Sequence, residues 1–504
     1  MDRLKLNVVA NFLGRGWHAL MSLLFVPLYI RFMGMEAYGL VGFFVSLQAL
    51  FSMFDFGLGA TFNREMARYS SREDQSQNAL DLSRTLEVVY WIVGIVIGCL
   101  IFALSGLIAR KWVNAEQLDT ASISDAVTMM GLVLMLQWPN ALYSAGLRGL
   151  QHQVLLNGIN ASLATIRGIG AVLILWLISP SIYAFFAWQA IVSLLHTFVT
   201  GFCLRFSVTK TGQPPRFRLK LLKTVWAFAA NMSVLTLLIL LLSQLDKVIL
   251  SKILPLTAFG YYTLASTVAT AISIPMAPIS EALFPKMSQL AAQNNDVEMG
   301  ELYHRGAQLS ALVLFPIGSL MIFFPKEVLF LWTGNAVLAT NTHLLAGILS
   351  FGVLLHYGVM GTLDLLQMSY GWLKPALYSR LIAFAVLGPV MIGMTLTYEA
   401  IGAAICWLII YCSYLLLTPY FVFRRLLPNE KWNWYLQDLG MPLLVAVGII
   451  GAGRVLVAVP TNKISLLLYL IFILGMALSA VAFSMRHTRL YITSTALKFA
   501  RELQ

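Results

Sequence analysis

The chain has 504 residues, 59% of them hydrophobic and 11% charged, with a mean hydropathy of +0.79. A soluble globular domain is nearer half apolar and a quarter charged, so a water-soluble fold of this length is excluded before any motif is considered. The net charge of +12, from 34 Lys and Arg against 22 Asp and Glu, gathers at the ends of apolar segments as the positive-inside rule requires, and nucleic-acid binding is not expected.

A membrane-spanning helix needs roughly 20 mostly apolar residues. About fourteen such segments follow one another: 7–33, 38–67, 85–109, 125–147, 154–179, 182–206, 224–251, 258–288, 304–325, 342–367, 375–397, 399–423, 441–459 and 464–484. The first is too long for a signal-peptide core and is read as a retained helix. Pro139, Pro275, Pro278, Pro316 and Pro389 fall inside segments, where neighbours or a wet cavity must satisfy the freed backbone. Cys99, Cys203, Cys406 and Cys412 lie within apolar runs and form no CxxC pair, so neither a disulfide framework nor a metal site is expected. Alternating the segments across the bilayer places 24 Lys and Arg on the side of the N-terminus and six on the other, which puts both termini in the cytoplasm. No connection can hold a soluble domain; the largest are 207–223, 110–124 and 326–341. Function must therefore reside among the helices.

Two stretches repeat about 220 residues apart. Asn11 precedes the turn Met35-Glu36-Ala37-Tyr38-Gly39, and Asn231 precedes Leu256-Thr257-Ala258-Phe259-Gly260. The expected organisation is an N-terminal six-helix bundle (1–206), a cytoplasmic linker (207–223), a C-terminal six-helix bundle (224–423), and two extra helices with a tail (424–504). Repeats of this kind in transporters flank a central substrate path.

Ionisable groups inside spans are costly and face a cavity or a partner. Arg15 and His18 share a face of the first segment, and Asp55 stands at a comparable depth on the second. Arg15 and Asp55 either form a buried structural ion pair, or Arg15 contacts an anion while Asp55 positions it or takes a proton. Arg167 falls near the middle of the fifth segment with no carboxylate within a turn, and its planar fork suits phosphate oxygens. Arg64 and Glu65 either line an inner gate or mark the membrane boundary. Asp246, Lys247, Glu281 and Asp364 are gating or coupling candidates, with snorkelling the alternative for Lys247. Glu87 and Glu399 are expected to begin helices, where a carboxylate suits the dipole. His196, His356 and Arg454 are weaker candidates; a lone His on an apolar face is more often a hydrogen-bonded core residue.

Asn11, the Gly34-x-x-x-Tyr38-Gly39 turn, and Asp55-Phe56-Gly57-Leu58-Gly59 followed by Arg64-x-x-Ala67 together resemble the polysaccharide transporter family. That family belongs to the multidrug/oligosaccharidyl-lipid/polysaccharide (MOP) superfamily and includes the O-antigen-type flippases. The resemblance is strongest over 1–70, recurs more weakly over 225–290, and extends by layout to about residue 425. It implies an all-α, MATE-like polytopic protein of the bacterial inner membrane, with a V-shaped pair of bundles around a cavity that opens to each side in turn. It also implies a substrate of undecaprenyl-pyrophosphate carrying an oligosaccharide, and a polymerase and glycosyltransferases as pathway partners.

Three functions compete. A flippase needs a cationic wet chamber for the pyrophosphate while the polyprenyl tail stays in lipid, and Arg15 and Arg167 supply that character. A drug/cation antiporter of the same superfamily needs a dominant buried acid, and a lipid II flippase also has fourteen helices. A membrane enzyme is disfavoured: no GxxxxGK[ST], HExxH or strand-borne GxGxxG occurs. No cofactor or metal is expected, and an H+, Na+ or substrate gradient supplies the energy.

Overall fold

The computed structural model describes residues 3–70, 76–208, 213–372 and 374–485, of which 3–9, 70, 224–237, 239 and 376 are described by backbone alone. The chain divides into two compact units, Met1–Gly260 and Tyr261–Gln504. Among the described residues the regular structure is helical, apart from one isolated bridge between Asn114 and Pro255. Helices prevail because only a structure that closes its own backbone hydrogen bonds is tolerated against hydrocarbon.

The first unit holds α1 (Arg3–Leu24), α2 (Val26–Phe51), α3 (Leu58–Ser70), α4 (Ser76–Leu107), α5 (Thr120–Gly149), α6 (Gln153–Leu177), α7 (Ile182–Ser207) and α8 (Leu219–Ile253). The helix α9 (Leu256–Ala271) begins in the first unit and runs into the second. There follow α10 (Met276–Ala292), α11 (Asp296–Phe323), α12 (Pro325–Thr333), α13 (Ala336–Val353), α14 (Gly361–Ser369), α15 (Lys374–Arg425), α16 (Lys431–Asn433), α17 (Met441–Leu456) and α18 (Lys463–Ser484). Among the described residues, 10 helices are long and apolar enough to cross a membrane, or 11 if the pair α9 and α10, bent by 45°, is one broken span. This is a multi-pass membrane protein.

Helix breaks fall where the predicted segments meet. Gly34, with φ of 84° and ψ of 170°, interrupts α2. The segment predicted at 7–33 is therefore α1 plus the start of α2, and that at 38–67 is the rest of α2 plus α3. As one rod, the 52 residues of α15 would run about 78 Å, far beyond a hydrocarbon core of about 30 Å. Glu399 breaks it with φ of 52°, and Gly402 packs on the Met394 carbonyl as the chain turns. One carboxylate departs from expectation. Glu87 does not begin a helix, because α4 starts at Ser76; it is buried in mid-helix, bonded by Tyr143 (2.7 Å), Arg84 (2.9 Å) and Arg205 (2.5 Å). Glu399, as expected, stands at the start of a helical stretch, being the break from which the second half of α15 sets off. Asp119, outside the spans, caps α5, and the Ser122 hydroxyl and N–H hold its carboxyl below the usual range.

Each unit has its own core. In the first, Leu58, Phe62 and Met66 of α3 pack with Leu82, Leu86 and Tyr90 of α4, Leu142 and Leu147 of α5, and Leu204 of α7. In the second, Tyr303 and Phe315 of α11 pack with Leu363 of α14, Phe423 of α15 and Trp434. The two appended helices belong to this second unit. Ile450 of α17 and Leu466 and Leu470 of α18 cluster on Phe324, and Arg454 pairs with Glu327 at 2.6 Å. Near the opposite end of α11, His304 contacts Asp438 and lies 3.1 Å from Glu430, while Gln308 donates to Asp438 at 2.8 Å.

At one end of the first unit the two repeated turns meet. A Cβ on Gly39 would fall 2.4 Å from the Leu256 carbonyl, and one on Gly260 would fall 2.6 Å from the Met35 carbonyl. These are equivalent positions of the repeat, so the contact is reciprocal, and only residues without a side chain permit it. A loop clasp surrounds it. The buried Glu36 carboxylate accepts the backbone N–H groups of Glu116 (2.5 Å), Gln117 (2.9 and 3.1 Å) and Leu118 (3.1 Å). Trp112 donates to Ser251 at 3.1 Å, Asn114 to the Lys252 carbonyl at 2.9 Å, and the Leu256 N–H to the Asn114 carbonyl at 2.7 Å. Asn231, the other marker of the repeat, lies where side chains are not described.

Candidate substrate site

Three helices of the first unit carry polar residues at the same spacing. On α1 these are Asn11, Arg15 and His18; on α6, Gln153, Asn157, Asn160 and Arg167; on α7, Gln189, Ser193, His196 and Thr200. Steps of three, four and seven keep residues on one helix face, so each set is a stripe. The α6 stripe is about 21 Å long at 1.5 Å per residue.

Side-chain hydrogen bonds draw the stripes together. Asn11 donates to Gln153 and accepts from Asn157, both at 2.6 Å, and Trp17 donates to Thr165 at 2.9 Å, which joins α1 to α6. Arg167 joins α6 to α7: its Nη1 donates to Gln189 Oε1 at 3.0 Å and its Nη2 to Ser193 Oγ at 3.3 Å. The Trp188 indole donates to the Arg167 carbonyl at 3.2 Å. His196 lies 3.0 Å from Asn160 and 3.5 Å from Asn140, which brings in α5, and Thr197 donates to the Leu136 carbonyl at 2.6 Å.

The assembled face is cationic. His18 and His196 lie within Coulombic reach of Arg167, and Arg148, at the end of α5, within reach of Arg15. Arg15, His18 and Arg148 are exposed and Arg167 is half-buried. Among the described residues neither Arg148 nor Arg167 forms an ion pair. A guanidinium half-buried in a span without a carboxylate leaves N–H donors for an anion. Amides and hydroxyls around it can serve a polyhydroxylated ligand.

The other sequence-predicted residues are placed elsewhere. Asp55 does not pair with Arg15. The Asp55-Phe56-Gly57-Leu58-Gly59 motif is a break between α2 and α3. Phe56 and Gly57 both take positive φ, 46° and 76°, a conformation that glycine adopts without strain. The break turns Asp55 to accept the Tyr90 hydroxyl of α4 and the Gly59 N–H at 3.3 Å. Its carboxylate therefore fastens α2, α3 and α4 instead of facing α1. Arg64 pairs with Glu65 at 2.7 Å, and Arg68 reaches the same carboxylate at 3.2 Å. Asp246 is buried and Lys247 half-buried near the end of α8, and Glu281 is exposed on α10. Asp364 pairs with Arg380 at 3.3 Å in the second unit, and His356 stacks on Tyr411.

Charge-centred reading missed Gln153, Asn157, Asn160, Gln189 and Ser193, and placed Arg148 only as a cytoplasmic-end charge. The neutral residues carry no charge to draw attention, yet the shared spacing on α6 and α7 was a usable signal.

Three comparisons bear on the chain. The profile of a family described as polysaccharide biosynthesis protein matches residues 4–291. A Shigella flexneri protein named as a candidate O-antigen transporter is 22% identical over 406 residues, covering 80% of this chain and 93% of that protein. Among solved structures, the lipid II flippase MurJ in an inward closed conformation is similar at a TM-score of 0.68, with 15% identity over 95% of this chain and 98% of that one. An inward-facing multidrug-resistance MATE transporter of the MOP superfamily is similar at 0.62, with 12% identity over 82% and 98%.

Proposed function

We propose a specific task for a chain whose family is plain: it belongs to the polysaccharide biosynthesis protein family, whose profile covers more than half of it. The task is to flip an undecaprenyl-pyrophosphate-linked oligosaccharide across the bacterial inner membrane, by alternating access, for O-antigen, capsule or exopolysaccharide synthesis. A pyrophosphate cannot cross hydrocarbon bare, because an isolated buried charge is too costly. A cationic face that exchanges water for fixed N–H donors lowers that cost, while the polyprenyl tail remains in lipid. The observation that carries the reading is the Arg15–His18–Arg148–Arg167 face, in which neither Arg148 nor Arg167 forms an ion pair among the described residues. Arg167 and Arg15 bind phosphate oxygens, and His18 and the amides of α6 and α7 meet the sugar-proximal part. Asp55 holds the bundle in shape, and Arg64 lies at the inner mouth.

The chain then has fourteen spans with both termini in the cytoplasm. The helix breaks at Gly34 and Glu399 support that count by dividing α2 and α15. An H+ or Na+ gradient or the substrate gradient drives turnover, with Asp246, Lys247, Glu281 and Asp364 as gating or coupling residues. A polymerase and glycosyltransferases act on either side of the step. An organic-cation antiporter is disfavoured, because Asp55, the clearest mid-span acid in the first unit, is held by Tyr90.

A second reading, lipid II flipping, is favoured by coverage alone, 95% of this chain by the lipid II flippase structure against 82% by the multidrug transporter. Complementation separates the two. Expressed in a strain lacking its own surface-polysaccharide flippase, the chain restores surface polymer. Restored growth of a lipid II flippase depletion strain, with no surface polymer made, would overturn the first reading in favour of the second.

A further inference from the structure

The second unit contains a lateral groove of about 720 Å³ between the helices flanking the Glu399 turn and the segment from His356 to Gln367. Its two ends differ in chemistry. One end is lined by Asp364, Gln367, Trp372, Lys374 and Arg380. The other is lined by Ile382, Val386, Leu387, Val390, Ile409 and Ile410. At the polar end Lys374 is exposed, and the Arg425 guanidinium lies 4.8 Å above the Trp372 ring. Arg380 pairs with Asp364 at 3.3 Å, and Lys374, Arg380 and Arg425 set against Asp364 leave this end net positive. At the apolar end Ile382 (64% exposed), Val386 (58%) and Val390 (48%) open sideways.

Length decides between classes of lipid. From Lys374 to Val390 the helix rises about 24 Å. Half of a bilayer of about 40–45 Å, headgroup region included, is about 20–22 Å. The groove therefore matches one phospholipid of one leaflet, headgroup against the cations and acyl chain along Ile382, Val386 and Val390. A polyprenyl tail, several times longer, would overrun it. Trp372 and Tyr378 sit at the polar end, the level at which such amphipathic rings settle in membranes.

We propose that this groove is a binding site for an anionic phospholipid, with phosphatidylglycerol as its probe. The site lies wholly in the second unit and is independent of the cationic face of the first. The full-length protein is reconstituted in vesicles with trace phosphatidylglycerol or phosphatidylcholine, each bearing the same photoactivatable acyl chain, and labelled peptides are mapped. The expected result is labelling of 377–390 and 409–421 at least about fivefold stronger from phosphatidylglycerol, the preference that a single cation near a headgroup confers. Lys374→Gln combined with Arg380→Gln removes the preference, and Ile409→Trp, which fills the open side, lowers labelling by both lipids. Equal labelling of wild-type protein by the two lipids would overturn the proposal without recourse to any variant. So would displacement of the phospholipid by an equimolar polyprenyl phosphate, which would make the groove a substrate-tail site.

Discussion

Replacing Arg167 with Gln tests the cationic face directly. The wild-type guanidinium has five N–H donors. Nη1 is engaged by Gln189 at 3.0 Å and Nη2 by Ser193 at 3.3 Å, and no carboxylate pairs with it among the described residues. The remaining donors are free to meet pyrophosphate oxygens. A hydrogen bond to a charged group contributes about 1.5–3 kcal/mol, so loss of one such bond lowers substrate affinity about 10- to 100-fold. Arg167→Lys keeps the charge but loses the planar fork and is expected to fall between Gln and wild type. Two measurements are needed. Surface polymer is quantified in a complemented flippase-null strain and normalised to folded protein in the membrane. Binding of a short-chain polyprenyl-pyrophosphate glycan to purified protein is measured in parallel. The structural bonds to Gln189 and Ser193 predict a modest fall in thermal stability as well. If Arg167→Gln binds and exports like wild type, or loses export only in step with folded protein, the anion role assigned to this face is wrong.

Other perturbations follow from the same contacts. Glu36→Gln exchanges a buried carboxylate that accepts N–H groups of Glu116, Gln117 and Leu118 for one with a single acceptor. It should lower stability by about 2–3 kcal/mol, read as an earlier unfolding transition in detergent; an unchanged transition would show that the clasp contributes nothing. Gly39→Val and Gly260→Val should behave alike, each disrupting one half of the reciprocal contact with Leu256 and Met35, and unequal effects would argue against equivalence of the two turns. Asn11→Ala removes two 2.6 Å bonds between α1 and α6 and should cost about 1–2 kcal/mol. Its signature is easier proteolysis or cysteine labelling near the start of α1. Asp438→Ala removes the partner of His304 Nδ1 and of the Gln308 amide and should destabilise by about 2–3 kcal/mol; Asp438→Asn, which still accepts, should recover part of that in the same assay.

The contacts also give the family-like motifs physical reasons. Asn11 is a fastener between helices, not a ligand by necessity, since its amide is already bonded to Gln153 and Asn157. The Asp55 motif is a helix break whose carboxylate holds Tyr90. The Tyr38-Gly39 turn owes its glycine to the Leu256 carbonyl lying on it. Asn11, Asp55 and Gly39 thus build the frame, whereas among the described residues neither Arg148 nor Arg167 forms an ion pair, as the proposed anion role requires.

Hydropathy alone identified a multi-pass helical protein, because each span must be apolar enough to partition into hydrocarbon on its own. Spacing alone placed Arg15 with His18 and paired the turns at Met35 and Leu256, since helix periodicity is a local property. What sequence could not decide was which helix each stripe faces. Arg15 and Asp55 stood at compatible depths, yet depth fixes only one coordinate. The break at Phe56-Gly57 rotated Asp55 to Tyr90, and packing of α1 on α6 put Asn11 beside Asn157. Partner choice depends on rotation about the helix axis and on which neighbour arrives, and those are settled only when the whole unit packs.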